Sequence, residues 1–249
     1  MNIIKSVFIW IFIISVILLW VPVVAVFRLF DRDPAHYMTG FLYRRLGYVI
    51  TKVIPAYITY SFDPSIKMMR EKVVVVSNHQ SLGDIPLIST IPFEMKWVAK
   101  KALFSVPVVG WMMGWAGDIA VDRKAVNRRK KTLEQAKFYL KHDCPVMFFP
   151  EGTRSRNGNL NRFNTGAFDL AIETNSPVLP IALDGTQEYL PKKKWIFGKK
   201  GDIKLEVLPM VYPGDKNSDQ LTQEVRENIK TKLAEWRSCK PDDVDNLVK

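Results

Sequence analysis

The chain has 249 residues, 47% of them hydrophobic, with 36 Lys+Arg against 25 Asp+Glu and a formal net charge of +11. That length suits one domain with a full core plus an appendage. So large a positive excess favours an anionic partner: nucleic acid, an acidic lipid surface or a phosphorylated substrate. Cys144 and Cys239 are the only cysteines. With no other ligand-like spacing they exclude a disulfide framework and a zinc site, and free thiols in a reducing cytoplasm are expected.

The amino terminus narrows the choice of partner. Ser6 to Phe27 carries no charge. As a helix it extends roughly 33 Å, enough for a bilayer core of about 30 Å. Trp10 and Trp20 suit a water–lipid boundary, and Lys5, Arg28 and Arg32 flank the run. A signal peptide is the rival reading, disfavoured by the length of the apolar run and the lack of a small-residue cleavage site. Pro22 kinks the helix or ends it early, in which case the segment dips into one leaflet instead of spanning. Met38, Phe41, Leu42, Leu46, Val49, Ile50, Val53 and Ile54 then recur at helical spacing, with Arg44, Arg45 and Lys52 largely on other faces. This second helix either packs on a core or lies in the headgroup plane. Residues 1–60 are therefore expected to form a two-helix membrane anchor, and residues 61–249 a catalytic domain.

Residues 61–70 read as a polar connector. Beyond them, strand-like runs at Val73–Ser77, Ile119–Asp122, Val146–Phe149, Val178–Leu183 and Ile203–Leu208 alternate with helical stretches. Those stretches are Ser81–Ser89, Asn127–Lys141, Phe163–Thr174 and Gln220–Trp236. This alternation predicts an α/β fold: a mostly parallel or mixed sheet flanked by helices. No glycine-rich nucleotide fingerprint or P-loop is present, so ATP and NAD are unsupported and no cofactor is expected. A basic–aromatic loop, Pro191 to Lys200, sets Lys192, Lys193, Lys194, Lys199 and Lys200 around Trp195, Ile196 and Phe197. It is either a docking surface for anionic lipid or an ordinary solvated loop.

Three short segments carry chemistry. Asn78-His79-Gln80-Ser81-Leu82-Gly83-Asp84 follows the first apolar run, where α/β folds keep reactive groups. Residues five apart do not share a helix face. His79 and Asp84 therefore meet only if the histidine precedes the helix and the aspartate lies in its first turn. Ser81 as N-cap and Pro86 early in the helix allow this; the plainer alternative is that Asp84 only completes a capping box with Ser81. Phe149-Pro150-Glu151-Gly152-Thr153-Arg154-Ser155 follows a later strand, and Arg154 offers a planar fork suited to phosphate. Gly117 to Arg123 is another strand ending in a cation.

In this order, behind an apolar anchor, the segments resemble the 1-acylglycerol-3-phosphate acyltransferase family. Asn78-His79 to Asp84 is similar to its N-H-x-x-x-x-D signature. Gly117–Arg123, Phe149–Ser155 and Val178–Ile181 resemble its second, third and fourth blocks, and Lys100 to Gly110 its lead into the second. Two positions depart from the family: Asn164 stands where a basic residue often precedes the Gly166-Ala167 pair, with Arg162 a possible substitute, and Ala102 replaces an acidic residue.

The resemblance implies a mechanism. His79 acts as general base on the acceptor hydroxyl, and Asp84 orients the imidazole. Arg154 and Lys100, then Arg123, bind the acceptor's phosphate; Glu151, Gly152 and Thr153 shape that site. The donor is acyl-CoA or an acyl-carrier protein, the acceptor lysophosphatidic acid and the product phosphatidic acid. Val106, Val109, Trp111, Met112 and Met113 either line an acyl groove or form core. The protein is expected at the membrane, its catalytic domain on the cytoplasmic face. Rival acceptors are glycerol 3-phosphate, another lysophospholipid or an aminolipid. A non-enzymatic lipid-binding protein is more distant, and no nucleic-acid partner is expected, since the positive charge is spread along the chain.

Overall fold

The computed structural model describes residues 3–52, 57–61, 66, 70–122, 127–198 and 201–247. Two helices, α1 (Ile3–Phe30) and α2 (Tyr37–Thr51), precede a mixed seven-stranded sheet. The strands are β1 (Tyr57–Ser61), β2 (Val74–Ser77), β3 (Lys96–Lys100), β4 (Ile119–Val121), β5 (Val146–Phe148), β6 (Val178–Asp184) and β7 (Asp202–Val207), in the order β1-β7-β6-β2-β5-β3-β4. Between and after them run α3 (Asp84–Ile88), α4 (Val109–Trp115), α5 (Arg128–Lys141), α6 (Gly166–Glu173), α7 (Thr186–Tyr189) and α8 (Ser218–Arg237). The expected α/β architecture is present.

Strand chemistry explains strand position. Central β2 is a run of valines and a serine with every side chain buried, as a parallel strand covered on both faces requires. Val74 and Val76 enter the core under α5, α6 and α8, while Val73 and Val75 enter the core on the other face. The last strand, β7, is antiparallel to β6 and alternates, burying Ile203, Leu205 and Val207. Strands β2 to β6 all run in one direction. Their carboxyl ends therefore open on one sheet edge, with β2, β5 and β6 side by side.

Four elements were not anticipated: β1, β3, α4 and the one-turn α7. β1 is an edge strand beside β7. β3 holds two lysines, which hides it in the sequence. Its Lys96 is wholly buried because Nζ meets Glu94 Oε1 at 2.9 Å and the Ala116 carbonyl at 2.6 Å. α4 lies in the lead segment, where Met112 packs with Val24 and Leu46. α8 starts at Ser218, ahead of the expected Gln220, because Asn217 caps it and Gln220 returns the bond.

α2 differs from its sequence reading in where its charges go. Arg44 is buried, bonded to Asp118 and 3.7 Å from Glu94 Oε2, and Arg45 donates to the carbonyl of Ile91 at 2.9 Å. Buried charges persist only when paired. Here the pairing joins α2 to the segments flanking β3 and to Asp118 before β4. Gly40 permits the close approach, since a Cβ there would stand 2.0 Å from Glu94 Oε1. Val53 and Ile54, expected to continue this helix, lie outside the described residues.

α1 is continuous through Pro22. It buries a narrow stripe, Ser6, Ile13 and Val24, and shows solvent an apolar face on which Phe8 is 68% and Leu19 74% exposed. The buried stripe is held at both ends. Trp10 Nε1 donates to the Trp195 carbonyl at 2.7 Å and Phe197 N to Ser6 Oγ at 3.1 Å. Toward the other end Trp20 Nε1 donates to the Leu42 carbonyl at 3.0 Å, and Val24 packs on Leu46 and Met112. Among the described residues α1 is the one helix long and apolar enough to cross a membrane.

Candidate active site

The site is assembled where β2, β5 and β6 end. Asn78 leaves β2 and continues its pairing with side-chain atoms: Nδ2 donates to the Leu183 carbonyl and Oδ1 accepts from Leu183 N, both at 2.9 Å. This turns the next residue, His79, out of the sheet edge. Its ring stacks on Phe149 with centroids 3.9 Å apart and planes 17° apart.

His79 Nδ1 lies 2.7 Å from Asp84 Oδ2. Asp84 is fully buried at the start of α3. Its Oδ2 also accepts from Gln80 N at 2.7 Å and Ser81 N at 2.9 Å, and Oδ1 accepts from Thr186 Oγ1. The carboxylate therefore bonds back to the turn and also contacts the imidazole, but it does not complete a capping box with Ser81. Ser81 is not the N-cap. Gly83 occupies that position, and Ser81 Oγ donates to the Leu190 carbonyl at 2.6 Å while accepting from Gly83 N. Because an ionised carboxylate only accepts, the proton sits on Nδ1 and the Nε2 lone pair is available. Nε2 has no hydrogen-bond partner among the described residues.

The segment after β5 grips His79 from the other side. Glu151 Oε1 accepts from His79 N at 2.7 Å, and Ser155 N donates to the His79 carbonyl at 2.7 Å. Glu151 Oε2 accepts from Asn161 N at 3.2 Å and Asn161 Nδ2 at 2.5 Å. Burial pushes the Glu151 carboxyl up to about 7, against those N–H donors, which favour its ionised form. Gly152, with φ 67°, makes the turn that sends the exposed Thr153 and the partly buried Arg154 back past the histidine. Asn164 Nδ2 donates to the Pro150 carbonyl at 2.7 Å, so this residue braces the turn where a cation was looked for. Arg162 is exposed.

Thus His79, Asp84, Glu151, Gly152, Thr153 and Arg154 are brought together. Lys100 is exposed at the carboxyl end of β3, two strands from β2 on the same edge, without a hydrogen bond to the others among the described residues. Arg123 lies outside the described residues, as do Lys199 and Lys200. Of the suggested groove residues, Met112 and Met113 are buried, while Val106 and Trp111 are exposed. A separate groove of about 360 Å³ is lined by Val121, Leu133, Phe148, Phe149, Thr165 and Ala167. Phe149 thus borders both this groove and the His79 ring. Sequence reasoning missed Thr186, Phe149 and Asn161 as site residues. Thr186 had one faint signal, its place just past a strand end at Gly185, whose φ is 84°.

Comparison with known proteins bears on the family and the fold. A family model described as Acyltransferase matches residues 54–184. A 1-acyl-sn-glycerol-3-phosphate acyltransferase of Chlamydomonas reinhardtii is 29% identical over 232 residues, 91% of this chain and 68% of that one. A chloroplastic 1-acyl-sn-glycerol-3-phosphate acyltransferase of Brassica napus is 36% identical over 156 residues, 63% of this chain but only 45% of its own length. Among solved structures, the 1-acyl-sn-glycerophosphate (LPA) acyltransferase of Thermotoga maritima superposes with a TM-score of 0.81 at 25% identity, covering 96% of this chain and 97% of that one.

Proposed function

The chain belongs to the acyltransferase family, and from that premise we propose that it moves an acyl group from a thioester to the sn-2 hydroxyl of 1-acyl-sn-glycerol 3-phosphate, giving phosphatidic acid. The carrying observation is the His79–Asp84 contact at 2.7 Å, with Nε2 left for substrate. Nε2 takes the hydroxyl proton as the oxygen attacks the thioester carbonyl. A C–O bond forms, the C–S bond breaks, and the imidazolium returns its proton to the departing thiolate. Asp84 stabilises that imidazolium, Phe149 fixes the ring plane, and Glu151 fixes the histidine backbone. Arg154, with Thr153 and Gly152 shaping its turn and Lys100 and Arg123 from the neighbouring strand ends, binds the acceptor's phosphate. The groove beside Phe149 suits the apolar arm of the donor, either acyl-CoA or an acyl-carrier protein.

Residues 1–60 form the membrane-facing unit of this reading and residues 61–249 the catalytic one. α1 is packed on protein from Ser6 to Val24, about 27 Å of helix at 1.5 Å per residue. Protein contact along that length disfavours a span. Its packing supports a helix lying in one leaflet, with the apolar face around Phe8 and Leu19 in lipid. The donor thioester, a cytoplasmic molecule, sets the catalytic unit on the cytoplasmic face. The test is a transfer assay with purified full chain, labelled acyl-CoA and a panel of acceptors. Preference for lysophosphatidic acid supports the reading; faster transfer to glycerol 3-phosphate, a larger-headgroup lysophospholipid or an aminolipid overturns the acceptor assignment.

A further inference from the structure

The loop carrying Lys192 to Phe197 touches two things at once. One is α1, through the Trp10–Trp195 and Ser6–Phe197 bonds, with the Trp10 and Phe197 rings 5.3 Å apart. The other is the phosphate-binding turn proposed above. Lys192 Nζ donates to the Arg154 carbonyl at 2.7 Å and to Thr153 Oγ1 at 3.1 Å. Lys193, Lys194 and Trp195 are exposed, but Lys192 is partly buried and turned toward the site. That separates it from the lipid-docking role expected of the loop's lysines as a group. Desolvation and the repulsion of Arg154, Arg156 and Lys193 weaken the hold of its ammonium on the proton, with the Glu151 carboxylate acting the other way. Cations outnumber the one nearby carboxylate, and Lys192 bonds a hydroxyl and a carbonyl instead of that carboxylate, which marks a place for a further anion. The Arg156 carbonyl is itself held by Gln187 Nε2 at 3.0 Å, so the turn is braced on two sides.

We propose that Lys192 is a positioning residue for the acceptor's phosphate, linking the Thr153–Arg154 turn to the membrane helix α1 through the 192–197 loop. An ammonium has three donors, and two are spent on the turn. The bonds from Lys192 hold Arg154's backbone, and Trp10 and Ser6 hold the loop that carries Lys192. Seating α1 in lipid then orders the turn that receives a lipid phosphate. This rests on the assignment of Arg154 to the acceptor, and its test separates the two.

The experiment compares Lys192→Ala, Lys192→Arg, Trp10→Phe and Arg154→Ala as full-length proteins in lipid nanodiscs. The readings are KM for lysophosphatidic acid, KM for acyl-CoA, and amide hydrogen exchange across residues 152–156. Loss of a charge-assisted bond to the turn is expected to raise the acceptor KM about tenfold or more in Lys192→Ala. The donor KM stays within about twofold, amide exchange at 152–156 is faster, and Lys192→Arg recovers part of the loss. Trp10→Phe keeps an aromatic side chain, though a smaller one, and removes the N–H donor; exchange is expected to quicken in the same residues although residue 10 lies on α1. If Arg154→Ala raises the acceptor KM while Lys192→Ala leaves it and the exchange unaltered, the positioning role is overturned and the acceptor assignment stands. If neither variant affects the acceptor, the phosphate site itself is misassigned. A loss confined to the donor KM in Lys192→Ala overturns the proposal in favour of a contact with the donor's phosphates.

Discussion

Replacing Asp84 by Asn separates the chemistry of this site from its architecture. Asp84 is buried and accepts from His79 Nδ1, Gln80 N, Ser81 N and Thr186 Oγ1. An asparagine can keep its oxygen toward the first three and turn Nδ2 toward Thr186, whose hydroxyl accepts that bond and swings to Gln80 Oε1, 3.5 Å away. The hydrogen bonds survive, the imidazole keeps its tautomer, and only the negative charge is lost. A unit charge about 4 Å from an imidazolium is worth about 4 kcal/mol at an effective dielectric constant near 20. At about 1.4 kcal/mol per decade, kcat is expected to fall roughly a thousandfold. Both KM values should stay within about threefold, and the thermal midpoint within a few degrees. Asp84→Ala is a different experiment. It strands at least three buried donors, at about 1–3 kcal/mol each, against a total stability of about 5–15 kcal/mol. That variant is expected to fail in folding. The assay is single-turnover acyl transfer with unfolding followed in the same detergent. Folded Asp84→Asn with kcat within tenfold of the native value would refute the role given to the charge.

His79→Ala is expected to remove transfer while preserving the fold, because Phe149 and the backbone bonds to Glu151 and Ser155 remain; wild-type turnover by folded protein would falsify the mechanism. Arg154→Ala should raise KM for lysophosphatidic acid far more than KM for the donor, with Arg154→Lys recovering only part, since a point charge cannot replace the bidentate fork. Glu151, whose carboxyl is pushed up to about 7 from an ordinary 4.5, is neutral in the fold at a pH where it is ionised in the unfolded chain. The native state therefore binds the extra proton, its stabilising effect is complete below about 4.5, and it fades as pH rises through 7. The stability of wild type relative to Glu151→Gln should fall by about 3 kcal/mol across that interval, and a difference that stays flat with pH contradicts the assignment. Carbonate washing should leave the full chain on membranes, and labelling both ends of α1 from one side only should succeed if the helix lies in one leaflet; one end labelled from each side means that it spans.

The elements legible in the sequence were those whose environment is uniform along the chain. β2, buried on both faces, reads as unbroken valine, and α8 reads as a stripe of Leu221, Val225, Ile229 and Leu233, all of them buried. β3 was hidden because Lys96 is neutralised by Glu94 and carbonyls that only the fold supplies. Arg44 was misread for the same reason: its partner Asp118 lies 74 residues away, so helical periodicity assigned it to a polar face. Within the site, His79 and Asp84 lie five residues apart and their pairing can be argued locally. Thr186 and Asp84 lie 102 residues apart, and their contact depends on β6 lying beside β2. Lys192 fell among other lysines whose exposure differs from its own, and composition alone could not tell them apart.

The sheet also explains why the first and third motifs belong together in one chain. His79 leaves β2 at a carboxyl end, where its backbone would otherwise hang unpaired beyond the last ladder bond. Glu151 and Ser155, from the end of the neighbouring parallel strand β5, take its N–H and its carbonyl. The Glu-Gly-Thr-Arg-Ser segment therefore does two jobs with one turn. Its outer residues hold His79 in place, while Gly152 lets its inner residues, Thr153 and Arg154, rise over the same edge. A shift of Arg154 is thereby passed to the peptide of His79 through Glu151 and Ser155. On the proposed reading the two ends of the acceptor meet residues carried by two adjacent strands, and neither motif can be moved alone without disturbing the other. Substituting Glu151 should on this ground lower kcat as well as acceptor binding, whereas substituting Arg154, whose side chain makes none of the bonds to His79, should act chiefly on binding.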